Sequence, residues 1–400
     1  MKGAMRLTGG LVACLVVGIF VAGWRTGATA AGANSSEEVA ARYDKPETKI
    51  AKTKIVNFWD PKAAAAYLDR RQSWWMEWPR AQRDHETFCV SCHTAVPYAL
   101  SRPALRTALA EPVPSPNERR LLDNVTKRVR LWKEVEPFYK DADRGPYKSV
   151  ESRGTESVLN ALILSSRDAH SGQLSNDART AFENMWAEQQ VAGNRKGAWL
   201  WLRFNNEPWE ADDSDYFGAT LAAVAIGIAP GNYRATPEVQ TSLKLLREYL
   251  NREFAVQTTI NRVLLLWAQA KLPGLLEPDR QKAIIADLLE TQQADGGWSL
   301  SSLSGNWKRE DGTSQETKSD GYATGLITFI LQQAGVSREN AKLQRGLAWL
   351  TANQDKTEGS WAAYSLNKNK KNHISPETAL FMNDAATSYA VLSLTAANRR

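Results

Sequence analysis

Between Asp60 and the C-terminus the chain alternates two kinds of helical segment, and that alternation leaves few folds open. Segments near 61–76, 117–139, 175–191, 237–252, 278–292 and 338–353 are amphipathic. In the fourth, Val239, Leu243, Leu246 and Leu250 share a stripe while Lys244, Arg247 and Glu248 point away. Segments near 92–105, 156–166, 216–229, 259–270, 321–334 and 385–396 are apolar on most sides, and such helices belong in an interior. Start signals agree. Ser115-Pro116-Asn117-Glu118 spells a capping box with Pro at the first helical position. Thr236-Pro237-Glu238, Glu277-Pro278-Asp279 and Ser337-Arg338-Glu339 read as three more starts. Strand signals are few. The expectation is an all-α fold, an α/α toroid with about six outer and six inner helices, in one domain over 59–400. Six hairpins can close a ring and hide both ends that an open helical array leaves exposed.

The N-terminus reads as an export signal. Lys2 and Arg6 precede an apolar run from Leu11 to Gly23, and Ala28-Thr29-Ala30 offers a small-residue cleavage site. Residues 1–30 are therefore expected to be a signal peptide and 31–58 a tether rich in polar residues. The run is shorter than the ~20 residues of a membrane span, so membrane attachment would come only through an uncleaved signal. Cys14 follows a lipoprotein-like Leu11-Val12-Ala13, but most of the apolar run lies after it. The formal charge of +6 falls to +3 once Lys2, Arg6 and Arg25 are set aside. That is too small and too dispersed for nucleic acid. The expected location is the bacterial periplasm or another exported compartment.

Only three cysteines occur, and two fall in Cys89-Val90-Ser91-Cys92-His93. C-x-x-C-H is the pattern for covalent c-type haem attachment: two thiols spaced to bond one porphyrin, then an imidazole for the iron. A structural zinc needs four ligands from paired clusters, and no second cluster is present. A thioredoxin-like dithiol would sit in a βαβ context that this chain lacks. One haem c on Cys89 and Cys92, with His93 as proximal ligand, is the expectation. Trp74, Trp75 and Trp78 just upstream would cover a haem edge or pack the first outer helix on the first inner one.

The loops entering the inner helices repeat. Gln189-Gln190 leads to Gly197-Ala198-Trp199, Gln292-Gln293 to Gly296-Gly297-Trp298, and Gln354 to Gly359-Ser360-Trp361. Each is followed by an Asp at an inner-helix start, Asp215, Asp320 and Asp384. This arrangement resembles the QW repeats of squalene–hopene cyclases and the wider prenyltransferase/squalene-cyclase superfamily, over roughly 150–400. The resemblance implies the α/α toroid. It implies a structural role for the motif as well, with Trp packed over a helix end and Gln capping backbone groups. The cyclase reaction does not carry over: those enzymes protonate their substrate with D-x-D-D, and Asp212-Asp213-Ser214-Asp215 reads D-D-S-D. The inner helices are also mainly Leu, Ile, Val and Ala, with few rings to guide a cation.

With all inner helices running one way, their N-termini share a rim, gathering His93, Glu151, Glu156, Asp212, Asp213, Asp215, Gln257, Asp320 and Asp384. Asp213, Asp215, Asp320 and Asp384 are candidate catalytic residues, and also candidate helix caps. For the second axial ligand, Met382 and His373 are best placed, since the last inner helix neighbours the first in a closed ring. His170 falls at the opposite rim, His85 too close to His93 in sequence, and Met76 and Met185 complete the set. The resulting expectation is an exported mono-haem redox protein, an electron carrier or an oxidoreductase acting on a small apolar ligand, with a partner protein. The alternatives are a terpenoid- or lipid-processing cyclase-like enzyme (an isomerase) with auxiliary haem and a haem-based binding or sensing module. A carbohydrate-acting toroid with paired carboxylates is a further one.

Overall fold

The computed structural model describes residues 59–135, 145–367 and 380–398. The expected signal peptide and tether, residues 1–58, and His373 lie outside the described residues. Among these residues twelve α-helices alternate as the sequence pattern requires. The outer set is α1 (Pro61–Glu77), α3 (Pro116–Arg130), α5 (Asn176–Ala187), α7 (Gln240–Glu253), α9 (Pro278–Glu290) and α11 (Ala341–Ala352). The inner set is α2 (Ala95–Ala108), α4 (Gly145–Ser171), α6 (Ser214–Ile228), α8 (Thr259–Lys271), α10 (Gly321–Gln333) and α12 (Phe381–Asn398). Each inner helix packs on the next, and α12 packs back on α2, closing the ring. The fold is an all-α toroid. Its core is the inner helices themselves: Val158–Leu164, Ala222–Ile226 and Val263–Leu266 are essentially without exposure.

Local chemistry sets several helix starts. Asp60 caps α1, accepting from the amides of Lys62 and Ala63, with Pro61 at the first position. Ser115 and Glu118 form the reciprocal capping box of α3. At α11 the expected start at Ser337 gives way to Asn340. Ser337 Oγ turns back onto the Glu339 amide, and Asn340 Oδ1 takes the amides of Lys342 and Leu343. Helix α3 stops at Arg130, short of 139, and the carbonyls of Trp132 and Val135 beyond it are taken by Arg153 of α4. Helix α4 is far longer than the apolar stretch 156–166 that marks it. One strand pair went unread, a hairpin of β1 (Gln82–Arg83) and β2 (Thr87–Phe88) before the cysteines.

The repeated loops bolt one hairpin to the next. The indoles of Trp199, Trp298 and Trp361 are buried and donate to the carbonyls of Met185, Leu288 and Leu350 in the last turn of the preceding outer helix. These carbonyls lie where the helix's own ladder runs out; Met185 also accepts from the Glu188 amide and Leu288 from the Thr291 hydroxyl. Gln189, Gln292 and Gln354 donate to the carbonyls of Gly197, Gly296 and Gly359, and to Ser242, Lys342 and Asp60 at the start of the next outer helix. The glycines have positive φ, where a Cβ is strained. A Cβ at Gly359 would also lie 2.3 Å from the Ala63 carbonyl oxygen in α1. The third repeat therefore grips the first helix: Asp60 N donates to Gln354 Oε1 at 2.6 Å. The device that joins successive hairpins also seals the ring.

Candidate functional site

The inner-helix N-termini meet at one rim, as hydrogen bonds there from α12 to α2 and from the start of α6 to α8 make plain. The Cys89–His93 turn lies on it. The β1–β2 hairpin brings the chain back so that Cys89 N donates to the Ala81 carbonyl at 2.7 Å. Asn124 of α3 clamps Phe88 by both its backbone amide and its carbonyl. Trp75 Nε1 donates to the Cys89 carbonyl at 2.7 Å. Ser91 Oγ accepts from the amides of Thr94 and Ala95, so a side chain inside the motif takes the first free amides of the helix that follows it. Cys89 and Cys92 are both free thiols. Burial pushes both thiols up, with the Glu210 carboxylate adding to each. A reactive dithiol needs the opposite shift.

His93 is buried, and burial together with the Arg71 charge lowers it to about 3, so its imidazole is neutral. Its ring meets Trp75 edge-on at 5.0 Å, Trp209 at 5.6 Å and Phe381 face to face at 3.7 Å between centroids. Trp74 and Trp78 stack at 5.1 Å and both contact Phe381. The upstream tryptophans thus serve the histidine's surroundings as well as helix packing. His93 Nδ1 lies 2.9 Å from Thr94 Oγ1, which donates to Asp384 Oδ2 at 2.8 Å. Asp384 also accepts from Tyr67 (2.9 Å) and from Arg71 (2.7 and 3.0 Å). Burial pushes the Asp384 carboxyl up, while Arg71, Thr94 and Tyr67 pull it back.

The other predicted carboxylates have separate fates. Asp320 caps α10 as expected, accepting from the Ala323 and Leu300 amides, and burial raises it to about 7. Asp215 is not a cap: it sits in the first turn of α6 and takes Arg195 and Arg203, each at 2.6 Å. Asp384, inside α12, is not one either. Asp213 precedes α6 but accepts from Thr258 and Asn261 of the neighbouring segment instead of its own helix. Asp212 is exposed. Glu151 pairs with Lys148, and Gln257 accepts from Asn261. Glu156 is spent on Arg128, a buried pair reaching outward to α3.

Two acids and a ring were missed. Glu207, Trp209 and Glu210 lie in the long loop before α6, a stretch that carries no periodicity. Trp209 touches both His93 and Tyr322 (6.0 Å), and Tyr322 touches Tyr389 (5.4 Å). The rim therefore carries aromatic rings, Trp209 from the loop and Tyr322 and Tyr389 from inner helices that are otherwise mainly aliphatic. Burial, then the Asp213 charge, raises Glu207 to about 8, and burial raises Glu210 to about 7. The three long loops are tied together: Asn367 bonds Asn206 and Glu207, Trp307 donates to the Leu366 carbonyl, and Asn205 bonds Glu310. Glu207, next to that knot, is buried, and Glu210 is half-buried. A single dipeptide, Pro208-Trp209 between two acids, was the available clue.

Of the candidate axial ligands, Met382 is buried in the first turn of α12, next to Phe381. His85 is exposed in the hairpin turn with positive φ, and His170 is exposed at the far end of α4. Met76 and Met185 are buried in outer helices. No hydrogen bond from the described residues reaches His93 Nε2. Among the described residues no three His, Cys, Asp or Glu side chains converge on a bare metal ion. The two neutral free thiols, the free Nε2 and the aromatic walls fit the expected haem.

No protein-family model matches the chain, and no curated protein does. Among solved structures a glycosidase variant is similar, at 12% sequence identity and a TM-score of 0.45, over 84% of this chain and 98% of its own. A likeness at that level carries no argument. Among the described residues no helix is long and apolar enough to cross a membrane.

Proposed function

We propose that the protein is an exported mono-haem c-type protein built on a squalene-cyclase-like toroid, and that its work is redox chemistry. The observation that carries this reading is the state of the Cys89–His93 turn. Both thiols are free, the imidazole is neutral, and one ring nitrogen is held while the other is left open. Haem bound there would supply one-electron iron chemistry. This chain's own part is to bond the porphyrin through Cys89 and Cys92, present Nε2 of His93, and keep water out with Trp75, Trp209 and Phe381. Met382 is our candidate for the opposite axial position, with His373 as the other. Exclusion of water and a closed mouth suit electron exchange with a partner protein or oxidation of a small apolar molecule. The Gln…Gly-x-Trp loops, acting as the resemblance implies, support kinship with the cyclase superfamily.

The test is expression with a working c-haem maturation system, followed by mass measurement and a pyridine haemochrome spectrum. The expected result is one covalent porphyrin, lost in Cys89→Ala/Cys92→Ala. A colourless wild-type chain of unmodified mass would refute the proposal. A second reading rests on Glu207, an acid held protonated near neutral pH beside Trp209 and Tyr322. It is a terpenoid-processing site with Glu207 and Asp213 as its acids. Product analysis with isoprenoid substrates and Glu207→Gln separates it from the first.

A further inference from the structure

Resting on the haem reading, we propose that Thr94 and Asp384 are positioning residues for His93. They fix its tautomer and set the donor strength of Nε2, so that closing the helical ring also tunes the iron.

The argument starts from a single proton. A hydroxyl has only one, and Thr94 commits it to Asp384 Oδ2 at 2.8 Å. The carboxylate is kept an acceptor by its other donors, Tyr67 on Oδ1 and Arg71 on both oxygens. If Thr94 instead donated to His93, its oxygen lone pairs would face a carboxylate oxygen at that short distance, which is repulsive. The lone pair of Thr94 therefore faces Nδ1, 2.9 Å away, so Nδ1 carries the hydrogen and donates. Nε2 is left with its lone pair outward, the form in which imidazole binds a metal. A carboxylate behind a metal-bound histidine fixes ring orientation and raises ligand basicity. Here the negative charge reaches the ring through one hydroxyl.

The relay is assembled from three elements. Tyr67 and Arg71 belong to α1, Thr94 opens α2, and Asp384 belongs to α12, the last inner helix. It exists only where the end of the ring meets its beginning. The aromatic neighbours add no competing polar partner: Trp75, Trp209 and Phe381 meet the imidazole by their rings.

The experiment uses the matured full-length protein as wild type, Thr94→Val, Thr94→Ser and Asp384→Asn. Covalent haem is read by mass and haemochrome, and the reduction potential by spectroelectrochemical titration. A stronger Nδ1 hydrogen bond favours ferric iron. Thr94→Val and Asp384→Asn should therefore keep the haem and shift the redox equilibrium about tenfold toward the ferrous form, ~59 mV for one electron. Thr94→Ser should match wild type. Equal potentials in wild type and Thr94→Val, with haem attached in both, would overturn the relay. Asp384→Asn disturbs a buried ion pair, so Thr94→Val, nearly the same shape, decides the matter if Asp384→Asn does not fold. Absence of porphyrin from wild type would strike the functional reading and not the relay. In that case nitrogen NMR of His93 must show Nδ1–H in wild type and Thr94→Ser, with the preference lost in Thr94→Val. An unchanged tautomer in Thr94→Val would sink the proposal.

Discussion

Replacing Gly359 with alanine should discriminate a closed ring from an open helical array in solution. Gly359 has φ +78°, and an added Cβ would lie 2.3 Å from the carbonyl oxygen of Ala63 and 2.4 Å from its carbon. Ordinary contacts between such atoms need about 3.5 Å, so α1 or the loop must retreat by about 1 Å. Such a retreat strains the bonds of Gln354 to Asp60 at 2.6 and 2.9 Å. Gly335 is the control: its φ is +83°, but nothing lies within 4 Å of an added Cβ. Gly335→Ala carries only the backbone term, ~1 kcal/mol. Gly359→Ala carries that term plus ~1–3 kcal/mol of forced repacking, about 2–4 kcal/mol together. Gly197→Ala, whose Cβ would meet the Leu245 carbonyl oxygen at 2.1 Å away from the seam, should be as costly whether or not the ring closes. Urea unfolding followed by far-ultraviolet circular dichroism gives the three midpoints, with m checked for constancy. If Gly359→Ala loses no more than Gly335→Ala while Gly197→Ala loses much more, α1 is not docked on the last repeat and the closed toroid is wrong.

Three further outcomes follow from the buried groups. Glu207 is raised from 4.5 to about 8 in the fold, so the folded state binds the extra proton. Its contribution is fully present below pH 4.5 and is lost as pH rises toward 8. Thermal unfolding across that window should therefore lose stability more steeply in wild type than in Glu207→Gln, and parallel slopes would refute the burial argument. Arg128, wholly buried, meets Glu156 in a two-pronged pair. Arg128→Met or Glu156→Ala alone should cost ~3–5 kcal/mol, whereas replacing both by apolar residues should cost less than the sum; additive losses in the double-mutant cycle would contradict the pairing. Trp298→Phe keeps an aromatic ring but removes the indole donor from the Leu288 carbonyl, leaving it the Thr291 hydroxyl, and should cost ~1 kcal/mol by denaturant titration. Trp186, half-buried, should tolerate the same change with a smaller loss, and the reverse order would deny the indole its anchoring role.

What could be read from the chain was whatever is decided within a turn or a repeat. The capping box at Ser115 and Glu118 closes over four residues, and the structure reproduces it. The alternation of amphipathic and apolar segments sets which helices lie inside, and the recurring Gln, Gly and Trp reappear as one hydrogen-bonded bolt used three times. Groups whose partners lie far along the chain were misread or missed. Asp215 and Asp320 look alike in sequence, each an acid ahead of an apolar helix. Asp320 finds the amide of Ala323 three residues on, while Asp215 is drawn off by Arg195 and Arg203. An arginine twenty residues away leaves no local mark on an aspartate. Glu207 shows the same limit for burial: its carboxyl is buried although the loop around it is polar in composition, and Asn367, 160 positions on, holds its backbone amide and carbonyl. The relay behind His93 is the extreme case, because Thr94 and Asp384 stand 290 positions apart. The C-x-x-C-H spacing is the pattern on which the proposed porphyrin rests, but it says nothing about how the imidazole is held. That follows only once closure of the ring sets the last inner helix against the first. Closure of the ring thus also sets a carboxylate behind the hydroxyl that faces the histidine, and replacing that one hydroxyl separates the contact's part in packing from the tuning role we propose for it.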